Sequence, residues 1–348
     1  MRRDNAGGGV RGLRAWPSQA LFNAVRAAYK IEFETEPIDL GGSSSLNLLV
    51  ADRSGQWVLR VYRPYVTVER LDAIHFIRQA LSLAGVPCGG LMTTHDGQPW
   101  ISFDGRLVEL EHYIEHDADM DTWEALEIGL PVLARMHDIL RNTDVGEAAR
   151  QPLFANYIES SQVLACTHRG TRRIRAWNPS PVELALADEA NELAQLISNA
   201  EFAQQADLPK QLVHGDFWDN NVFLQEGKVV FVTDFDFMGE RLRIEDIALT
   251  LYFTCMEFLE TPVSDNQLVR LRRLLNAYDL GSERSLSSAE RAALPLAIAR
   301  QPLWSIGGWV ALLDDENTAR THALGTAAGV KWALRVIDEV ARWQDAFA

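Results

Sequence analysis

The spacing of apolar residues changes period several times along the chain, and each change marks an element. Between residues 17 and 30, Leu21, Val25 and Ala28 recur at helical intervals behind Ser18, a residue suited to capping a helix start. Twofold alternation and β-prone runs then predict strands over 31–33, 37–40, 48–51 and 56–62. Helical spacing returns over 68–81, where Leu71, Ile74, Leu81 and either Phe76 or Ile77 share an inner face, and Gly85-Val86-Pro87 ends it. Three more strands are predicted at 90–93, 99–103 and 106–111, with turns at Asp96-Gly97 and Asp104-Gly105. Beyond Thr122 the pattern is helical over 122–140 (with Asp121 as its cap), 154–167 and 181–203, with a basic loop at 170–175. β-prone runs interrupt at 212–224 and 230–237, with turn residues at 225–228. Helices resume over 243–251, 265–278, 288–313 and 318–346.

This order predicts an α+β chain of two lobes. Residues 17–111 form an antiparallel sheet plus helix, 112–116 a linker, and 117–348 a largely helical lobe. Residues 1–16 are expected to be a disordered arm. The 348 residues suffice for two such lobes, and 47% apolar with 23% charged residues is ordinary for a soluble protein. The net charge of −15 argues against nucleic acid or an anionic membrane as partner. It fits a cationic substrate, and equally well solvated acidic faces. No run approaches the roughly 20 apolar residues of a membrane span, and the start, Met1 to Gly9, lacks the apolar core of a signal peptide. Cys88, Cys166 and Cys255 are far apart without metal-ligand spacing, so a reduced, cytoplasmic setting is expected, as monomer or homodimer.

The chemistry concentrates in one stretch. His214-Gly215-Asp216 follows the apolar pair Leu212-Val213, Asn221 lies five residues after Asp216, and the run 230–233 ends on Asp234, with Asp236 close behind. Phosphoryl transfer needs a carboxylate to orient or deprotonate the attacking hydroxyl, and oxygen donors to hold Mg²⁺ on the nucleotide phosphates. Asp216 takes the first role, Asn221 and Asp234 the second. Asp236 either joins them at a second metal or satisfies a nearby loop.

His-Gly-Asp-x-x-x-x-Asn followed by a strand and Asp-Phe-Asp resembles the aminoglycoside phosphotransferase family, which includes the choline kinases, the bacterial type II homoserine kinases and small bacterial protein kinases. The resemblance runs from about Pro17 and is strongest over 212–248. It implies a bilobal protein-kinase-like fold with its active site between the lobes. The loop Gly41, Gly42, Ser43, Ser44, Ser45 would cover the phosphates of ATP or GTP, small residues letting backbone N–H groups approach. Kinase-like folds carry a lysine on the next strand, where this chain has Arg60; Arg keeps the charge and forks to phosphate oxygens. Some relatives share the arginine. Glu69 would pair with it, and backbone groups of His112 and Ile114 would meet the adenine edge. Asp246 and His214 would brace the catalytic loop, with His137 in the core. A helical region with Trp304, Trp309, Trp332 and Trp343 would take the acceptor, and Glu257, Glu260, Asp314, Asp315 and Glu316 are acidic candidates there.

The implied reaction moves the γ-phosphate of ATP or GTP, with Mg²⁺, to a hydroxyl of a small molecule such as an amino alcohol, an aminoglycoside or another antibiotic. Homoserine is a close second acceptor, since Asn221-Val222-Phe223-Leu224 and the stretch 286–295 are similar to that branch. A Ser/Thr protein kinase and a catalytically silent nucleotide-binding module are the alternatives from other classes.

Overall fold

A computed structural model describes residues 14–42, 44–151, 156–204, 208–259 and 261–348. It divides into two compact units: the chain through Gln79 with Pro87–Glu115, and Ala80–Val86 with His116–Ala348. The expected linker, 112–116, contains the last of the three points at which the chain passes between them. Most of the expected disordered arm lies outside the described residues. Its last part does not float: the largely buried Arg14 side chain pairs with Asp39, and Ala15 packs on the core.

The first unit starts with α1 (Gln19–Tyr29), where the Ser18 hydroxyl accepts from Leu21 N–H at 3.2 Å. Strands β1 (Ile38–Gly41), β2 (Leu46–Asp52) and β3 (Gly55–Val61) precede α2 (Val68–Leu83), and β4 (Trp100–Phe103) and β5 (Arg106–His112) follow it. The antiparallel sheet runs β1-β2-β3-β5-β4, which puts β3 in the middle. Residues 31–33 form no strand, and Gly90 to Thr93 makes only a single bridge, Leu91 to Glu111.

Strand alternation gives this sheet two unlike faces. On one, Leu46, Leu48 and Val50 of β2 lie opposite Val61, Leu59 and Trp57 of β3, and Val108 and Leu110 of β5 continue the rows. Leu21, Val25 and Tyr29 of α1 join this core. Burying each such aliphatic side chain stabilises by roughly 1.5–3 kcal/mol, so a one-residue slip in register would be costly. The other face carries Asn47, Arg60 and Glu109 side by side across three strands. Of the two candidates on α2, Ile77 is buried and Phe76 exposed.

In the second unit, β6 (Ala118–Asp119) leads to α3 (Trp123–Asn142), capped by Thr122 and not by Asp121 as expected: the Thr122 hydroxyl accepts from Ala125 N–H at 3.1 Å. Helices α4 (Glu147–Arg150), α5 (Val163–Ala176) and α6 (Pro181–Gln204) come next. The predicted basic loop at 170–175 is the last part of α5. Gly170 there signals close packing, not a break: a Cβ would sit 2.0 Å from the Ile306 carbonyl. Strand β7 (Lys210–Val213) precedes the loop that carries His214, Asp216 and Asn221; β8 (Val222–Gln225), β9 (Lys228–Val232) and β10 (Gly239–Leu242) follow. β8 and β9 form a hairpin through Glu226-Gly227, both at positive φ, while β7 pairs with β10. Helices α7 (Ile244–Cys255), α8 (Asp265–Gly281), α9 (Ser288–Ser305), α10 (Glu316–Asp338) and α11 (Val340–Phe347) complete the unit. A π-helical turn, Ile306–Val310, interrupts the helix expected over 288–313, and the last expected helix is two.

Candidate active site

The loop after β7 turns sharply at Gly215, whose φ is +83°. A Cβ there would lie 2.1 Å from the Phe237 carbonyl, so only glycine fits. The turn is clamped from below. Asp246, in the first turn of α7, accepts His214 N–H at 2.9 Å on Oδ2 and Gly215 N–H at 2.7 Å on Oδ1. Burial alone would raise the Asp246 carboxyl, but the hydrogen bond to His137 and the Arg241 charge hold it below its ordinary range. His137 links Asp246 to the Tyr278 hydroxyl (2.8 Å) from the core of the unit.

His214 has both ring nitrogens engaged. Nδ1 accepts the Asp216 N–H at 3.1 Å, so Nε2 carries the proton and donates to Thr233 O at 3.0 Å. Burial lowers its pKa. It is a neutral brace and has no lone pair left for a substrate proton.

Asp216 follows directly. Asn221 Nδ2 donates to its Oδ2 at 2.9 Å and to its carbonyl at 2.8 Å, closing the loop across five residues. That engages the amide nitrogen and turns the Asn221 oxygen away from Asp216. The β8–β9 register sets Val222 opposite Val232, and Thr233 N–H donates to Asn221 O at 3.0 Å, so Asn221 and Asp234 are brought to one end of the hairpin. Asp234 adopts a left-handed backbone (φ 62°, ψ 63°), uncommon outside glycine and frequent at functional sites. The buried Asp236 sits in the short 3₁₀ turn that follows. An amide oxygen with one or two carboxylates is an all-oxygen donor set, the kind that suits Mg²⁺ shared with phosphates. Among the described residues no group of three or more His, Cys, Asp or Glu gathers closely enough to hold a metal ion by itself.

In the first unit, Arg60 is 6% exposed on the central strand, with its guanidinium 5.8 Å from the Tyr62 ring. Its expected partner does not pair with it. Glu69 is exposed at the start of α2, where it accepts from its own N–H and the Thr67 hydroxyl. The carboxylate opposite Arg60 across the sheet is Glu109, which is fully buried and accepts from Tyr62 (2.8 Å) and Arg78 (3.2 Å) and meets His75 Nε2 at 2.6 Å. Burial would raise the Glu109 carboxyl, but His75, Arg78 and Arg60 hold it down at about 2. In the small-residue loop, Gly41 and Gly42 have φ of +90° and +113°, and a Cβ on Gly42 would meet Ser45 O at 2.7 Å. Ser44 and Ser45 are buried; Ser43 lies outside the described residues. His112 ends β5 and its N–H donates to Gly90 O at 2.9 Å, so only its carbonyl is left to meet a base edge; Ile114 follows the strand.

Sequence reasoning missed Glu109, although the alternation of β5 would have put it on the Arg60 face. It also missed Asn156, which donates to Asp216 Oδ1 at 2.8 Å, and Arg241, which donates to Asn156 at 3.2 Å. No local pattern marks Asn156, 60 residues before its partner. Trp309, Trp332 and Trp343 are all buried, Trp309 with its ring stacked on His322. Of the acidic candidates, Asp315 caps α10, Glu316 pairs with Arg320, and Glu260 lies outside the described residues.

Among solved structures, a microcompartment-associated aminopropanol kinase superposes with a TM-score of 0.67 at 17% identity over 95% of this chain and 98% of its own. An amicoumacin kinase in complex with AMP-PNP, Ca²⁺ and Ami gives 0.66 at 15%, over 93% and 94%. The fold is therefore protein-kinase-like. In sequence, the homoserine kinase of Bradyrhizobium sp. strain BTAi1 is 26% identical over 267 residues, 73% of this chain and 72% of its own. That of Gluconobacter oxydans strain 621H is 26% identical over 295 residues, 81% and 85%. No described helix is long and apolar enough to cross a membrane. The profile of the phosphotransferase enzyme family matches residues 34–279, from the strand before the Gly-Ser loop through Asp216, Asn221, Asp234 and Asp246, and the chain belongs to that family.

Proposed function

We propose that this phosphotransferase is a Mg²⁺-dependent kinase that moves the γ-phosphoryl group of ATP or GTP to the hydroxyl of a small amine-bearing alcohol, an amino alcohol or an aminoglycoside-like antibiotic. The observation that carries the reading is Asp216: a carboxylate on a loop clamped by Asp246, fixed by Asn221, with the adjacent His214 imidazole already engaged on both nitrogens. Asp216 accepts a hydrogen bond from the acceptor alcohol and aims its oxygen at the γ-phosphorus. As the new P–O bond forms, the bond to the β,γ-bridging oxygen breaks, nucleoside diphosphate leaves, and the alcohol proton passes to Asp216 and then to solvent. Asn221, Asp234 and Asp236 are the residues to hold the metal, which supplies positive charge on the phosphates when bound. Arg60, Gly41, Gly42 and the serines after them serve the phosphates from the first unit, with His112 and Ile114 at the base.

Homoserine is the second reading, favoured by the matches to curated homoserine kinases along most of their length. It is itself an amine-bearing alcohol. One experiment separates the two: nucleotide consumption with ATP and GTP over a panel of amino alcohols, homoserine, aminoglycosides and other hydroxylated antibiotics, with product masses. A phosphorylated amino alcohol or antibiotic supports the first reading and phosphohomoserine the second. In either case Asp216→Asn should lower kcat by about 10²–10⁴-fold while leaving nucleotide Kd near wild type. Retention of activity within about tenfold would remove Asp216 from this role.

A further inference from the structure

We propose that Asn156, itself held by Arg241, is the positioning residue that fixes the orientation of the Asp216 carboxylate; this rests on the kinase reading above. The Asp216 side chain has two oxygens, and the two are gripped by different parts of the unit. Oδ2 takes Asn221 Nδ2 at 2.9 Å from within the loop, and Oδ1 takes Asn156 Nδ2 at 2.8 Å from the segment before α5. With Asn221 alone the carboxylate could swing about its Cβ–Cγ bond, a soft torsion. A second donor on the opposite oxygen removes that freedom. A carboxylate oxygen can accept more than one hydrogen bond, so these two grips do not by themselves bar the acceptor alcohol.

Asn156 is itself oriented. Its Oδ1 accepts from Arg241 at 3.2 Å, which fixes which end of the amide faces Asp216. Arg241 also donates to the Phe237 carbonyl at 2.7 Å and lies over the Tyr157 ring at 3.9 Å. Asn156 and Arg241 are 4% and 3% exposed, so water does not compete for these bonds. The chain of contacts closes on itself. Arg241 belongs to β10, paired with Gln211 of β7, the strand that delivers Asp216. Loop, amide and guanidinium thus form one ring with the strand pair as its base.

The chemistry explains why an amide stands between cation and base. A guanidinium bonded directly to Asp216 would favour the charged carboxylate so strongly that it would accept the alcohol proton poorly. Among the described residues Arg241 makes no direct ion pair; its charge acts on Asp216 across the intervening Asn156 amide.

The experiment compares wild type with Asn156→Leu, Asp216→Asn and the double variant, reading kcat, KM and nucleotide Kd. Thermal melting checks each fold. Turnover uses the best acceptor of the panel, with basal nucleotide hydrolysis, in which water is the acceptor, measured alongside. Asn156→Leu keeps the volume but loses the donor. The expected result is a ten- to hundredfold fall in kcat, with acceptor KM and nucleotide Kd within about twofold of wild type. Because Asn156 acts through Asp216, the double variant should match Asp216→Asn within about threefold; independent structural damage would multiply instead. Should Asn156→Leu not fold, Asn156→Asp keeps the Arg241 contact while turning the donor into a repelling carboxylate, and the same fall is expected. Wild-type kcat in Asn156→Leu, or a multiplied loss in the double variant, would overturn the positioning role while Asp216→Asn remained inactive. Full activity in Asp216→Asn would instead remove Asp216 from the role of base, on which this inference rests.

Discussion

Replacing Asp246 by Asn changes a single functional group in the second unit, yet it removes a hydrogen bond from the catalytic loop whichever way the new amide turns. In the native loop Oδ1 accepts from Gly215 N–H and Oδ2 from His214 N–H, at 2.7 and 2.9 Å. An amide has one acceptor end. With its NH₂ at the Oδ1 position it confronts the Gly215 N–H, and at the Oδ2 position the His214 N–H. The site is 1% exposed, so water cannot replace the lost partner. An orphaned buried donor costs about 1–3 kcal/mol, and losing a bond to a charged acceptor lies at the upper end of that range or above it. A destabilisation of about 2–4 kcal/mol is therefore expected, a large share of an ordinary domain's margin. The second effect is kinetic. Asp216 follows Gly215 directly, so a loosened turn should lower kcat by more than about tenfold at temperatures where the variant is still folded, with nucleotide Kd little changed. Urea unfolding and initial rates on the folded protein measure the two. A midpoint equal to wild type together with kcat within twofold would show that the Asp246 carboxylate does not hold this loop.

Other expectations are simpler. Asp234→Ala should abolish Mg²⁺-dependent nucleotide binding by calorimetry, since the remaining oxygen donors hold a hard cation poorly; unchanged affinity would refute the ligand assignment. Arg60→Ala should weaken nucleotide Kd about ten- to hundredfold, the loss of one charged hydrogen-bonding partner of about 1.5–3 kcal/mol, and Arg60→Lys should recover part of it. A wild-type Kd in Arg60→Ala would make the arginine a sheet residue only. Glu109, normally near 4.5 and held at about 2 in the fold, releases its proton more readily folded than unfolded. Its stabilisation, about 3 kcal/mol, is complete above pH 4.5 and is lost as pH falls toward 2. Acid unfolding followed by circular dichroism in wild type and Glu109→Gln checks this: the variant, less stable at neutral pH, should show a shallower decline over that window.

The parts of the fold that were legible in the sequence are those whose signal is local. The α2 periodicity, the Ser18 cap and the positive-φ turns at Asp104-Gly105 each follow from a few neighbouring residues. Misreadings arose where a distant contact overrides the local signal. Gly170 reads as a helix breaker, but Ile306, far along the chain, demands a residue without a side chain inside α5. Asp121 and Thr122 are both good caps by type, and only the geometry at Ala125 chooses between them. Gly90 to Thr93 has strand composition but makes just the one bridge.

The site divides along the same line, and Arg60 shows what the local reading lacks. A motif read along the chain supplies Asp216, Asn221 and Asp234 in order, because one loop and one hairpin carry all three. It supplies no partner for Arg60, and analogy pointed to the helix residue Glu69, which faces solvent. The sheet itself resolves this. Twofold alternation puts Arg60 and Glu109 on the same face of adjacent strands, and their register makes them direct neighbours. Strand pairing sets Glu109 beside Arg60, and Tyr62 together with His75 and Arg78 of α2 fixes its carboxylate there. That arrangement also suits the residue type. A lysine offers three donors from a point charge, whereas a guanidinium offers five in a planar fork. On a buried row already holding Glu109, an arginine has donors enough for the sheet and for a phosphate oxygen at the same time.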